Sequence, residues 1–372
     1  MRIKLTLIAL CFAMVAMLAG CGEPQEKKLV LGVAGAHSGD LASYGLPSVN
    51  AAKLVAAKIN AAGGVNGMMV EVVAQDDQCK PELATNAATK MVSDDVKIVL
   101  GHICSGATKS ALPIYLDGKI VVMSPSATNP PLTQSGEYPN FFRTIAPDDA
   151  QALLEVEFAK KLGLTKIAVI HDKGDYGKGF ASFCKQFIEA DPAVEVVLFE
   201  GVTPGAVDYS AVVQKIKGSG ADGVIFGGYH PEASKIVTGM RKKDLVIPFL
   251  SDDGVKDDTF IKVAGKYAEG VYATGPKDLS SLPMNQEAVK AHKDEYGEDP
   301  GPFFSQAYAA AQALLAAVEA ADSTDYDKVV DALHNNYVET AVGKIKFDSK
   351  GDAEGVGFSV YQVKDGKYTE VK

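Results

Sequence analysis

From Leu29 onward, short apolar runs of strand length alternate with amphipathic stretches of helical length, and this rhythm limits the chain to very few folds. The run Leu29–Ala34 reads as a buried strand. Val49–Ala62 reads as a helix with Ala52, Val55, Ala56 and Ile59 on one face. Strands at 70–74, 97–100 and 120–123 alternate with helices at 81–92 and 105–116. Strands apolar on both sides must be covered on both faces, and parallel neighbours need helical crossovers, so the pattern predicts an α/β fold with a parallel sheet. The rhythm restarts after Pro147, with helices at 148–162, 177–190, 209–217 and 231–242. Strands at 166–170, 195–199, 223–226, 247–250 and 270–274 accompany them, which gives a second α/β lobe. Three further helices, 285–296, 304–320 and 326–335, follow.

The first residues point to export. Arg2 and Lys4 precede the uncharged apolar run Leu5–Met17, and Leu18-Ala19-Gly20-Cys21 then reads as a lipobox in which Cys21 is acylated. Residues 1–20 are the expected lipoprotein signal and 21–28 a polar tether. The expected product is periplasmic or on the cell surface, held to the membrane by a lipid anchor. Ordinary cleavage without a lipid is the competing reading of Cys21. Losing Arg2 and Lys4 takes the basic residues from 37 to 35 against 47 acidic ones, so the net charge moves from −10 to −12. An acidic exported chain without a basic stripe does not suit nucleic acid.

Few motifs suggest catalysis. Gly218, Gly220 and Gly223 form a G-x-G-x-x-G string, but it follows a helix and precedes a strand, the reverse of a dinucleotide fingerprint. It reads as a helix end and connector. The six histidines show no i, i+4 pairing, and no C-x-x-C pair offers a metal set. The expectation is therefore no enzyme, no cofactor and no metal. Cys11 lies in the leader, and Cys184 falls on the apolar face of its helix as a buried thiol. Cys79 and Cys104 lie in loops at strand carboxyl ends, where an oxidising compartment favours a disulfide. A faint internal repeat joins the lobes: His37–Gly45 and His171–Gly177 each carry a Gly-Asp turn and a Tyr-Gly pair just past a strand. Ligands of open α/β sheets bind at such strand ends, although turn-forming residues alone would give the same pattern.

Three segments carry a more specific likeness. They are Ile59–Pro81 (INAAGGVNGMMVEVVAQDDQCKP), Gly101–Ser105 (GHICS) and Gly228–Glu232 (GYHPE). With them, nearly all of residues 29–372 resembles the leucine/isoleucine/valine-type periplasmic amino-acid-binding proteins of ABC transporters. The resemblance implies a type I periplasmic-binding fold: two Rossmann-like lobes with parallel sheets, joined by a three-strand hinge near residues 146, 276 and 350. Lobe one would then be 29–146 plus 277–349, and lobe two 147–276 plus 350–372. It also implies the Cys79–Cys104 pairing, a monomer, and delivery of a free amino acid to an ABC permease. A sensory module for a chemoreceptor or kinase is the alternative use of such a fold.

The same resemblance distributes the ligand contacts. Segments Ile103-Cys104-Ser105 and Ser126-Ala127-Thr128 would hold the α-carboxylate and α-ammonium. Ser105 opens a helix, where free N–H groups favour an anion, and the hydroxyls of Ser105 and Thr128 also suit plain N-capping. Tyr229 would close over the ligand, Tyr44 and Tyr176 would line the cleft, and Phe303 would form an apolar wall or simply pack in the core. Asp253 takes the place of a family glutamate that pairs with the ammonium. It is one methylene shorter, which leaves the exact amino acid open. The neighbouring Asp252 would contribute little.

Overall fold

The computed structural model describes residues 28–372. The expected leader and residues 21–27 of the tether, Cys21 included, lie outside the described residues, and Lys28, expected in the tether, instead opens the first strand. Strands β1 (Lys28–Gly35), β2 (Met69–Asp76), β3 (Ile98–Leu100), β4 (Val121–Ser124) and β5 (Phe141–Arg143) form a parallel sheet in the order β2-β1-β3-β4-β5. Strands β6 (Lys166–His171), β7 (Glu195–Gly201), β8 (Gly223–Gly227) and β9 (Phe249–Ser251) form a second, ordered β7-β6-β8-β9 and also parallel. The inner strands of both sheets are buried on two faces, with helices on either side, as their uninterrupted apolar runs require, while the edge strands β2 and β7 are only partly buried. The fold is thus the expected α/β pair of lobes.

Several elements differ from the sequence reading. The first helix begins at Ala42 rather than Val49 and runs through Pro47 to Ala61. Tyr44, Gly45, Pro47 and Ser48 are buried in it, but an aromatic among small and polar residues gives little hydropathy signal. Strand β5 was not expected; it is three residues long and lies at a sheet edge. The expected strand 270–274 is Tyr272–Pro276 (β10) and does not extend the second parallel sheet. After the hairpin Val338–Thr340 (β11) and Gly343–Ile345 (β12), strand Phe358–Lys364 (β13) pairs antiparallel with β10 and with Lys367–Glu370 (β14).

Two apolar clusters sandwich the first sheet, and one includes residues from Ala288 to Phe347. Two others sandwich the second sheet and take in Val360 and Val363. The chain therefore passes between cores three times: between Phe142 and Ala152, between Val271 and Ala288, and between Phe347 and Val360. A small cluster of Ile145, Ala146 and Phe358 sits at these passages. A parallel bridge between Arg143 and Asp352 ties two of them together.

Candidate functional site

Loops from the carboxyl ends of the two sheets meet each other, and the candidate site lies among them. On the first lobe, β3 leads through Gly101–Cys104 into helix Ser105–Asp117, and β4 leads into Ser124–Asn129. Cys79 and Cys104 are joined by a disulfide with a Cα–Cα distance of 5.4 Å. A buried network braces this bridge. The Asp77 carboxylate accepts from the Cys79 N–H at 2.7 Å and pairs with His102 Nδ1 at 2.5 Å. His102 Nε2 lies 3.0 Å from the Tyr115 hydroxyl. Ser126 Oγ donates to the Ile103 carbonyl at 2.9 Å, so the two expected ligand segments hold each other in place.

Ser105 is the first residue of its helix, and its N-cap, Cys104, makes no side-chain cap bond. The first-turn N–H groups thus remain available at a helix end suited to an anion. Ser105 Oγ accepts from the Asn129 N–H at 3.3 Å. Thr128 is fully buried, and its hydroxyl has no partner among the described residues. Neither hydroxyl acts as an N-cap.

On the second lobe, the hydroxyl of the buried Tyr176 donates to Asp253 Oδ1 and accepts from the Gly254 N–H at 2.9 Å. Asp253 is 2 % exposed, and its Oδ2 has no partner among the described residues. Burial pushes its carboxyl up to about 6, against the pull of the Tyr176 hydrogen bond. Asp252, expected to be peripheral, is fully buried and accepts from the Gly228 N–H at 2.8 Å. It fixes the turn that carries Tyr229.

Aromatic rings connect the lobes. Tyr44 and Tyr229 have ring centroids 6.0 Å apart, as do Tyr44 and Phe303, and Tyr176 and Tyr229 are 5.1 Å apart. Phe303 is held in the left-handed region with φ 59° at the N-cap of helix Phe304–Ala321. Such a backbone is strained for an aromatic residue and is kept only where its surroundings dictate it. Tyr44, Ile103, Cys104 and Ala127 share one apolar cluster, with Tyr229 and Phe303 packed against it. Tyr176 and Asp253 reach this cluster through the Tyr176–Tyr229 ring contact.

Other contacts across the cleft had no sequence signal. The Tyr44 hydroxyl donates to the Gly254 carbonyl at 2.5 Å and lies 2.7 Å from His230 Nδ1. Ser43 Oγ donates to Asp257 at 2.5 Å, and Lys109 pairs with Asp175 at 2.9 Å. Asn129 donates to the Asp175 carbonyl. These contacts join the two lobes. Cys184 is buried, and burial pushes its thiol well above the usual range, so it is an unreactive thiol. Among the described residues, no group of three or more histidine, cysteine or acidic side chains is placed to hold a metal ion.

Known proteins share this architecture. Residues 28–367 match the family model described as periplasmic binding protein. The leucine-, isoleucine-, valine-, threonine- and alanine-binding protein of Pseudomonas aeruginosa is 38 % identical over 344 residues, covering 92 % of each chain. The Leu/Ile/Val-binding protein of Escherichia coli is 35 % identical over 353 residues, covering 93 % of this chain and 95 % of that one. The branched-chain amino acid transporter substrate-binding protein of Streptococcus pneumoniae, solved in complex with isoleucine, superposes with a TM-score of 0.81. It is 26 % identical and is covered in full by 93 % of this chain. The chain belongs to the periplasmic binding protein family, alongside the leucine/isoleucine/valine-binding proteins.

Proposed function

We propose that this protein captures a free aliphatic L-amino acid, with leucine, isoleucine and valine the first candidates, and delivers it to an ABC permease. It transforms nothing; closure of the lobes is the output. The observation that supports this reading is a set of groups suited to a zwitterion. The helix N-terminus at Ser105 suits an anion, the unpartnered Oδ2 of the buried Asp253 suits a cation, and aromatic and aliphatic side chains pack nearby. A ligand that touches both lobes favours the closed state by its contacts with each. The named ligands of the relatives agree with this chemistry.

In this reading Ile103, Cys104 and Ser105 hold the carboxylate, and Ala127, Thr128 and Asp253 hold the ammonium. Tyr44, Tyr176, Tyr229 and Phe303 enclose the side chain. Lobe one comprises 29–146 plus 277–349, and lobe two 147–276 plus 350–372, with hinge points near 146, 276 and 350. The protein acts as a monomer, exported and anchored through an acylated Cys21. A thermal-shift screen of amino acids, sugars and nucleosides tests the reading. Leucine, isoleucine or valine should raise the melting temperature in a concentration-dependent way. A shift only with sugars or nucleosides, or none with any amino acid, refutes it.

A further inference from the structure

An α-ammonium group carries three N–H donors, and buried donors left without acceptors cost affinity. The sequence reading supplied two side-chain acceptors, Thr128 and Asp253. A third acid lies beside them. Asp148 is the first residue of helix Asp148–Lys161, immediately after the first passage between the lobes. It is fully buried, and its Oδ2 has no partner among the described residues. Its backbone N–H donates to the Thr128 carbonyl at 2.9 Å, which fixes it next to Thr128. Gln151, one turn along the same helix, ties it to Asp253. With its amide turned to satisfy both ends, Gln151 donates to Asp148 Oδ1 at 3.1 Å and accepts from the Asp253 N–H at 3.0 Å.

Three buried oxygens without partners thus come from three parts of the molecule: Thr128 from the first lobe, Asp148 from the hinge-side helix and Asp253 from the second lobe. We propose that Asp148 is a direct ligand of the α-ammonium, so that its three N–H groups meet Thr128, Asp148 and Asp253. The assignment rests on the amino-acid reading above and deepens it. Burial and the Asp253 carboxylate push the Asp148 carboxyl well above the usual range, against the weaker pull of the neighbouring Thr128 hydroxyl and the buried Arg143, so an arriving ammonium is the partner that would favour its charged form. Arg143 is itself fixed by Asp352 at 2.5 Å and by the carbonyls of Ala127 and Asn129. The hinge strand β5 therefore supports the ammonium site from behind.

Titration calorimetry with two probes tests this: L-leucine, and its 2-hydroxy analogue, in which a hydroxyl replaces the ammonium. Asp148→Asn should weaken leucine about tenfold or more, the range for a lost hydrogen bond to a charged group. Binding of the hydroxy acid should be largely unaffected, so the preference for the amine collapses. If Asp148→Asn does not fold, judged by its melting curve, Asp148→Ser goes through the same comparison. Equal weakening of both probes, or no weakening of leucine, assigns Asp148 a structural role and overturns the proposal alone. Wild-type protein that binds neither probe nor any other amino acid overturns the amino-acid reading and the Asp148 assignment together.

Discussion

At the scale of single residues, the proposed reading turns on Asp253. Truncating one partner of a buried charge pair costs about 2–5 kcal/mol, roughly 30-fold or more in affinity. Asp253→Ala should therefore abolish binding at micromolar ligand, read by titration calorimetry. Asp253→Glu should also weaken it, because Tyr176 and the Gly254 N–H are already arranged around the shorter acid. Asp252→Ala should change affinity little by comparison, but it strips the acceptor from the Gly228 N–H and should lower stability by about 1–3 kcal/mol in denaturant unfolding. The pH dependence has a definite sign. With its carboxyl near 6 in the ligand-free site, Asp253 must shed a proton to receive an ammonium below that pH. Through Asp253 the dissociation constant should rise by up to tenfold per unit as the pH falls below about 6. A constant that stays flat down to pH 5 would place the counter-ion elsewhere. The residues matched to known motifs were legible in the sequence. Asp148, Gln151 and the Tyr44–His230 contact were not, because nothing in local patterning says which buried polar atoms meet after folding.

At the scale of elements, the alternating rhythm located nearly every core strand, because a strand buried on both faces must be apolar throughout. The short edge strand β5 escaped it. So did the hairpin between β13 and β14, although Asp365-Gly366 carries the Asp-Gly turn signal and both residues have positive φ, 51° and 72°. The internal repeat proved informative. Tyr44 and Tyr176 both sit in the first turn of a helix that follows the first strand of its lobe. The glycine after each tyrosine lets that helix touch a strand end: a Cβ at Gly45 would lie 1.9 Å from the Ala36 carbonyl oxygen, and one at Gly177 would lie 2.3 Å from that of Gly227. Gly45→Ala and Gly177→Ala should each destabilise the fold by about 1–3 kcal/mol or more, as overpacking does, and should misplace the adjacent tyrosine. Thermal unfolding and ligand affinity measured together would separate the two effects. The Cys79–Cys104 bridge closes a loop of 25 residues, for which chain entropy gives about 3 kcal/mol. Peptide mapping without reduction should recover the two cysteines in one fragment, and reduction should lower the melting temperature.

At the scale of the whole molecule, the chain is discontinuous between its cores. Three passages of the chain between two cores allow one lobe to turn against the other without breaking either sheet. The sequence rhythm showed two lobes but not these returns, since a strand that crosses a boundary looks like any other strand; only the family likeness supplied them. The contact between the lobes is mixed: the exposed Lys109–Asp175 pair is worth about 0–1 kcal/mol, while the Tyr44 hydroxyl and ring contacts are buried. In the proposed reading the ligand adds contacts to both lobes. Closure should therefore depend on the ligand, and small-angle scattering should show the protein contract when leucine is added. The most direct test of the account is titration calorimetry of the wild-type protein with L-leucine, L-isoleucine and L-valine. The expected result is saturable binding of at least one of them, at one ligand per chain and with a dissociation constant in the micromolar range or tighter, about −8 kcal/mol or better. No saturable binding of any amino acid, under conditions where the protein is folded, would contradict it.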